Sequence, residues 1–319
     1  MSESQESNSR IVTEDAIDLR RLFEALLREK LTVIGLTAIA AILSVFYALQ
    51  IPDTYYSSAL LVAKNTQNDT SSLSRIAGQY GGLASLAGVS MGSDGATQSE
   101  IAIETLRSLR FFHNYMYEHV LVDLMATKSW NSDLKSLSID PTIYDEANSN
   151  WVREVSHPKQ KKPSVQEAFS VFSNAVSVTQ DKQTTFVTIA AVHISPDVAM
   201  RWVDLMVTGI NDAIRGKSVE EAQRSIDYLT MQLEQTVLVN LDTVFAQLIE
   251  EQTKTIMLAH ASDDYVFQVI EPPVASEVKE GPQRIRICVI GTLIGGLLSL
   301  LVVLLRQYIG ERITKMDQY

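Results

Sequence analysis

Two long apolar segments, one near each end of the chain, constrain this sequence more than any other feature. Residues 31–51 contain no charged side chain, and neither do residues 287–305. As α-helices, segments of this length extend about 30 Å, which matches the hydrocarbon thickness of a bilayer. We therefore predict two transmembrane helices, with residues 52–286 forming a domain that is tethered to the membrane at both ends.

The distribution of basic residues predicts the orientation in the membrane. Arg20, Arg21, Arg28 and Lys30 precede the first span, whereas Lys64 is the only basic residue among the 20 that follow it. Because basic residues are enriched on the cytoplasmic side, residues 1–30 are predicted to be a cytoplasmic tail that ends in an amphipathic helix. The first span lacks a cleavage pattern and is expected to remain as an anchor. A second span would return residues 306–319 to the cytoplasm as a short tail.

Charge and cysteine content exclude several classes of function. The net charge is −11, and residues 52–286 contribute 29 acidic and 19 basic side chains to it. Nucleic-acid binding depends on basic residues that neutralise phosphates, so nucleic acid is not an expected partner. Cys288, the one cysteine, lies within the second span. The large domain therefore has no disulfide, no cysteine-rich zinc site and no thiol nucleophile.

The pattern of residues 52–286 predicts a mixed α+β domain. A strand is expected near residues 55–62, a helix at 100–125, and a hairpin from residues 176–178 and 184–192. Ser195, Pro196 and Asp197 are typical of a helix start. Apolar residues at three- and four-residue steps then predict one long helix over about 197–262, extending the domain away from the bilayer. A last strand is expected at residues 265–270.

No arrangement of side chains predicts catalysis. The five histidines show no metal-site spacing, and the glycine-rich stretch of residues 65–97 lacks the GK[ST] of a phosphate-binding loop. Adjacent carboxylates such as Asp263 and Asp264 point apart on a helix, although paired carboxylates for glycoside chemistry stay open. We predict no catalytic, cofactor-binding or metal residues, no cofactor, and a protein that is not an enzyme.

Two groups of residues near the second span are candidate functional positions. Residues 271–286 form a junction whose motif is Pro272, Pro273, Gly281, Pro282 and Arg284. Within the span, Gly291, Gly295 and Ser299 recur every fourth residue, as Ala40, Ser44 and Ala48 do in the first span. Small residues at this spacing allow close packing of transmembrane helices, although chance is an alternative in such a segment.

These features together resemble a known family. IDLRRLFEALLREK leads into the first span, TYYSSALLVAK follows Pro52, and YVFQVIEPPVASEVKEGPQRIRI precedes the last span. The chain looks like a polysaccharide co-polymerase of the chain-length determinant (Wzz-type) family, without the fused tyrosine kinase domain of related export proteins. The junction has three prolines, fewer than is usual in that family.

The resemblance implies a bacterial inner-membrane protein with two spans, both termini in the cytoplasm and the main domain in the periplasm. It implies a membrane-proximal sheet base, a long extended helix and a ring-shaped homo-oligomer. The implied function is non-enzymatic control of the chain length of O-antigen, a component of lipopolysaccharide, or of a related glycan. The implied partners are a membrane polysaccharide polymerase, a lipid-linked glycan and the lipid bilayer.

Other functions stay open at the level of sequence. The chain could be a two-span sensor whose outer domain reads a ligand, or a co-polymerase for exopolysaccharide or capsule export. A glycan-processing enzyme is a further hypothesis.

Overall fold

The computed structural model describes residues 29–64, 98–235 and 239–316 and divides the chain into two units. The first unit comprises Met1–Pro52 and Gly281–Tyr319, and the second comprises Asp53–Glu280. Most of the predicted N-terminal amphipathic helix and the glycine-rich stretch lie outside the described residues.

The first unit is a pair of apolar helices. Helix α1 spans Lys30–Gln50, and helix α8 spans Arg284–Met316. Lys30–Gln50 and Arg284–Arg306 are long and apolar enough to cross a membrane, with mean hydropathies of 2.2 and 2.7. The two helices run antiparallel, because Glu29, next to the start of α1, lies 3.5 Å from Arg306, at the end of the apolar part of α8.

The second unit contains helices and strands in a mixed order, so the α+β fold class predicted from the sequence is confirmed. The helices are α2 (Gln98–Leu106), α3 (Leu109–Phe111), α4 (Tyr117–Ala126), α5 (Val165–Ala175), α6 (Pro196–Gln235) and α7 (Val239–Ala261). The strands are β1 (Thr54–Ala63), β2 (Thr127–Asn131), β3 (Ser136–Ile139), β4 (Tyr144–Asp145), β5 (Asn150–Trp151), β6 (Val176–Gln180), β7 (Val187–His193), β8 (Phe267–Glu271) and β9 (Lys279–Gly281).

The main sheet brings together strands from both ends of this unit. Its order is β6-β7-β1-β8, with β9 also pairing with β1, and the register places Ala59 opposite Ile189. The predicted hairpin is β6–β7, and the predicted strands before residue 64 and after residue 265 are β1 and β8. Ser57, Ala59 and Leu61 are buried, while the residues between them are partly exposed. This alternation is what a sheet with one covered face requires.

Helix α6 covers the buried face of the sheet. Trp202, Met206 and Ile210 are fully buried on it, at the three- and four-residue spacing of one helix face. The predicted helix start is confirmed, since α6 begins at Pro196 and the Ser195 hydroxyl accepts a hydrogen bond from the Val198 amide at 3.5 Å. Phe172 of α5 and Phe267 of β8 complete this core.

The single long helix predicted over residues 197–262 is wrong in its continuity. The region forms two helices, α6 and α7, which pack against each other, with residues 236–238 outside the described residues. They run antiparallel, because Arg215 in the middle of α6 lies 3.9 Å from Asp263, just beyond the end of α7, while the end of α6 and the start of α7 are close in sequence. The sequence gives no sign of two helices here, because the apolar spacing continues from one helix to the other and residues 236–238 include no Gly or Pro. Helix α6 alone, at 40 residues, extends about 60 Å.

Two further differences concern the region between β1 and α5. The helix predicted at residues 100–125 is present but interrupted after Leu106, where Ser108 caps a new turn by accepting a hydrogen bond from the Phe111 amide. A π-helical turn, Phe112–Met116, then joins α3 to α4. Residues 130–163, for which the sequence predicted no helix or strand, contain the small hairpins β2–β3 (whose first strand starts at Thr127) and β4–β5. Such short strands carry too little pattern to be recognised in sequence.

Candidate functional site: the paired apolar helices and the junction

The small residues of the two apolar helices face each other. A methyl group added at Gly291 would lie 2.5 Å from the Ser44 Cβ atom, and one added at Gly295 would lie closer still to that of Ala40. Real Cβ atoms do not approach this closely, so the backbones are nearer to each other than larger side chains would permit. The structure thus places both predicted glycines at the contact between α1 and α8.

Hydroxyl groups join the same contact. Ser299, which is fully buried, has its hydroxyl oxygen 3.3 Å from that of Thr37 across the two helices. Each hydroxyl also donates to a carbonyl of its own helix, Thr37 to Val33 at 2.7 Å and Ser299 to Gly296 at 2.7 Å. Polar groups in an apolar medium need such partners, so the pair fits a membrane-buried position. Thr37 was not singled out from the sequence; its alignment with Ser299 becomes visible only when the helices are paired.

The junction residues do not form one cluster. Pro272 and Pro273 directly follow β8, and a proline cannot donate to a strand pair, so the sheet pairing of β8 ends there. Gly281 is the last residue of β9, and the Arg284 amide donates to the Pro282 carbonyl at 2.8 Å as α8 begins. The five predicted residues therefore mark two places, the exit from β8 and the start of α8.

The segment between these places is bonded to β1. The Ser57 hydroxyl, which is buried, donates to the Val274 carbonyl at 2.8 Å. The Lys279 ammonium lies 3.4 Å from the Asp53 carboxylate. Asp53 is the first residue of the second unit and Lys279 is next to its last, so the chain enters and leaves this unit at neighbouring points.

Asn211 of α6 holds the chain where it turns from α7 into β8. Its side-chain oxygen accepts hydrogen bonds from the amides of Tyr265, Val266 and Phe267, at 3.1, 2.9 and 3.0 Å. Its side-chain nitrogen donates to the Phe267 carbonyl at 3.1 Å. One buried side chain thereby satisfies four backbone groups of the segment that leads to the junction. The sequence signal that could have revealed it is a lone Asn on an otherwise apolar helix face.

Glu167 and His193 of the second unit have pKa values that are shifted by their structural contacts. Arg153 and Glu167 form a bidentate ion pair with nitrogen–oxygen distances of 2.8 and 2.7 Å, and the guanidinium lowers the pKa of Glu167 to about 2. Burial lowers the pKa of His193, whose ring accepts a hydrogen bond from the Ser195 amide at 3.1 Å. Among the described residues, no group of three or more His, Cys, Asp and Glu side chains could hold a metal ion.

A cavity of about 970 Å³ lies between α2–α3 and the middle of α6. Its walls combine apolar side chains such as Ile101 and Ile214 with charged ones of both signs, such as Glu104 and Lys217. None of the residues predicted from the sequence as functional lines it.

The paired apolar helices and the mixed domain between them define the class of this protein as a membrane-anchored α+β protein. Residues 15–119 match the family model described as "Chain length determinant protein" (Wzz). This match confirms, over these residues, the resemblance to that family that the sequence predicted. Proteins of that family regulate polysaccharide chain length.

Comparisons with other proteins gave two further results. Among solved structures, the chain is similar to a "full-length bacterial polysaccharide co-polymerase", with 12% identity, 93% of this chain and 99% of that chain covered, and a TM-score of 0.39. It is also similar to a fragment of WzzB, a polysaccharide co-polymerase from Salmonella Typhimurium, with 11% identity, 72% and 100% coverage, and a TM-score of 0.30. A comparison with curated proteins by sequence gave no match.

Proposed function

We propose that this protein is a non-enzymatic regulator of the chain length of O-antigen or a related glycan. The observation that carries the proposal is the family match over residues 15–119, which includes the first span, strand β1 and helices α2 and α3. The proposed partners are an inner-membrane polysaccharide polymerase and further copies of this chain, arranged as a ring. In such an assembly, each copy presents the same surface to the polymerase or to the growing glycan.

The proposed topology places both termini in the cytoplasm and the main domain in the periplasm. The antiparallel pairing of α1 and α8 supports it, because Glu29 and Arg306 lie at the same end of the pair. The excess of basic residues before the first span supports the cytoplasm as that side. A reporter enzyme that is active only in the periplasm, inserted between β2 and β3 near Leu134, should be active, whereas one fused at the C-terminus should not.

Close packing of the two helices is proposed to be needed for the regulatory assembly. Without the small residues the helix backbones would separate, and the points where the chain enters and leaves the domain would move with them. The domain holds those points together through Asp53 and Lys279. A change in the helix pair would therefore strain the junction. On this proposal, two membrane helices are needed because together they fix where the chain enters and leaves the domain.

Deletion of the gene tests the function. Lipopolysaccharide, or the glycan made by the same strain, would be separated by length on a gel from cells with and without the protein. Regulation predicts a clustered length distribution in the parent and a smoothly decaying one in the deletion strain, with clustering restored by the wild-type gene. An unchanged distribution would contradict the proposal.

A further inference from the structure

Three apolar side chains stand out from the surface of the second unit where β8 leads into the junction. Ile270, Val274 and Val278 expose 52%, 62% and 75% of their surface. Single exposed apolar residues are common in folded proteins. Here three of them occur within nine residues, at intervals of four along the chain, and we call these three residues the junction strip.

The backbone of the junction strip is held in place while its side chains face outwards. Val274 is fixed through its carbonyl, which accepts a hydrogen bond from Ser57 at 2.8 Å. Val278 is fixed through the Ser276 hydroxyl, which donates to its carbonyl at 2.7 Å and accepts from its amide at 3.2 Å. The exposure of these side chains therefore belongs to an ordered conformation.

Chain length keeps the junction strip near the start of the second apolar helix. Six residues lead from Val278 to Arg284, and fully extended they reach at most about 20 Å. Lys279, the next residue after Val278, pairs with Asp53, which is three residues beyond the end of α1. The strip thus lies within a short reach of both points where the chain meets the apolar helices.

The residues around these points are typical of a membrane–water interface. Tyr47, in the last turn of α1, exposes 62% of its surface, and Arg286 is exposed in the first turn of α8. Tyrosine and arginine side chains are enriched at the level of the lipid headgroups. Acidic residues also occur in the segment, including Glu271 and Glu277, so attraction to anionic lipid is not what would hold it there.

We propose that the junction strip contacts the bilayer, with Ile270, Val274 and Val278 inserted between the lipid headgroups on the side where α1 ends and α8 begins. The ligand is phospholipid of any headgroup charge, recognised through apolar contact. Burial of these side chains in the headgroup–acyl boundary would account for their ordered exposure on the protein surface. The inference goes beyond control of chain length and needs only that the two helices cross a bilayer.

Site-specific fluorescence tests the inference in the full-length protein. Cys288→Ala removes the one native cysteine, and Val274→Cys or Val278→Cys then accepts an environment-sensitive fluorophore such as NBD. The matched control is Leu134→Cys, because Leu134 exposes 74% of its surface in the turn between β2 and β3. Each protein is placed in phosphatidylcholine nanodiscs, in which a fraction of the lipid carries a nitroxide near the headgroup, and iodide is used as the aqueous quencher.

The expected result is that nitroxide lipid quenches the labels at residues 274 and 278 at least about two-fold more strongly than the label at residue 134, while iodide quenches them less. Labels that iodide reaches as readily as the control would overturn the inference. Labels shielded from iodide but untouched by nitroxide lipid would also overturn it, since that outcome indicates a protein partner on the junction strip. Unchanged tryptophan fluorescence of the labelled proteins checks that each is folded.

Discussion

Replacement of Asn211 by alanine is predicted to destabilise the second unit more than any change at a surface asparagine. The substitution removes the acceptor of three amides, those of Tyr265, Val266 and Phe267, and the donor to the Phe267 carbonyl. These three residues are 6%, 1% and 0% exposed, so water does not readily replace the lost partner. The backbone would then be left with unsatisfied groups in the core.

The expected loss follows from these four groups. Leaving a buried donor or acceptor unpaired costs about 1–3 kcal/mol each. The three amides share one oxygen and each gains less than a full hydrogen bond from it, so we take the lower value and expect the free energy of unfolding to fall by about 4 kcal/mol. For a domain of this size that corresponds to a decrease of about 10 °C in the midpoint of thermal unfolding.

Tryptophan fluorescence of the full-length protein in detergent provides the assay, since Trp202 and Trp151 are buried in the second unit. The control is Asn174→Ala, because Asn174 is exposed and makes its hydrogen bond to the Ser170 carbonyl within its own helix. That variant should lie within about 0.5 kcal/mol of wild type. Equal losses in the two variants would refute the role given to Asn211.

Three further predictions address the helix pair, an ion pair and a turn. Gly291→Leu with Gly295→Leu should leave membrane insertion intact but disturb oligomer size and glycan length, measured by mass analysis of nanodiscs and by gel; wild-type oligomers and lengths would contradict this. The lowered pKa of Glu167, about 2, means that the folded state stabilises its charged form. The charged Glu167 should therefore add up to about 3 kcal/mol to the free energy of unfolding. This contribution is complete above the unfolded-state pKa near 4.5 and disappears as the pH falls towards 2. In urea unfolding, the Glu167→Gln variant should not show this loss of stability at low pH. If the variant loses the same stability as wild type, another group is responsible. Thr185 in the β6–β7 turn has φ of 62°, which is costly for a β-branched residue, so Thr185→Gly should raise stability by about 1 kcal/mol in the same assay, and a loss would contradict the reasoning.

The candidate site was predictable in part. The small residues of both spans, including Gly291, Gly295 and Ser299, are recognisable by their four-residue spacing, which is a local property of a helix. Their partners were not, since the pairing of Gly291 with Ser44 depends on how the two helices are aligned. Asn211 was missed for the same reason: its three amide partners lie more than 50 positions further along the chain.

The sequence by itself determined the two apolar helices and the strands and helices with strong periodicity. It also determined the negative net charge, which argues against nucleic acid as a partner. These features follow from hydropathy and residue spacing within short stretches of sequence, and they do not depend on residues far away in the chain. Only the tertiary structure decided that residues 197–262 form two antiparallel helices, because the apolar stripe of α6 continues in the same spacing along α7. It also decided that Asp53 and Lys279 meet, since that contact joins residues 226 positions apart. Contacts of this kind arise when whole helices and strands pack together, so they cannot be predicted from short stretches of sequence.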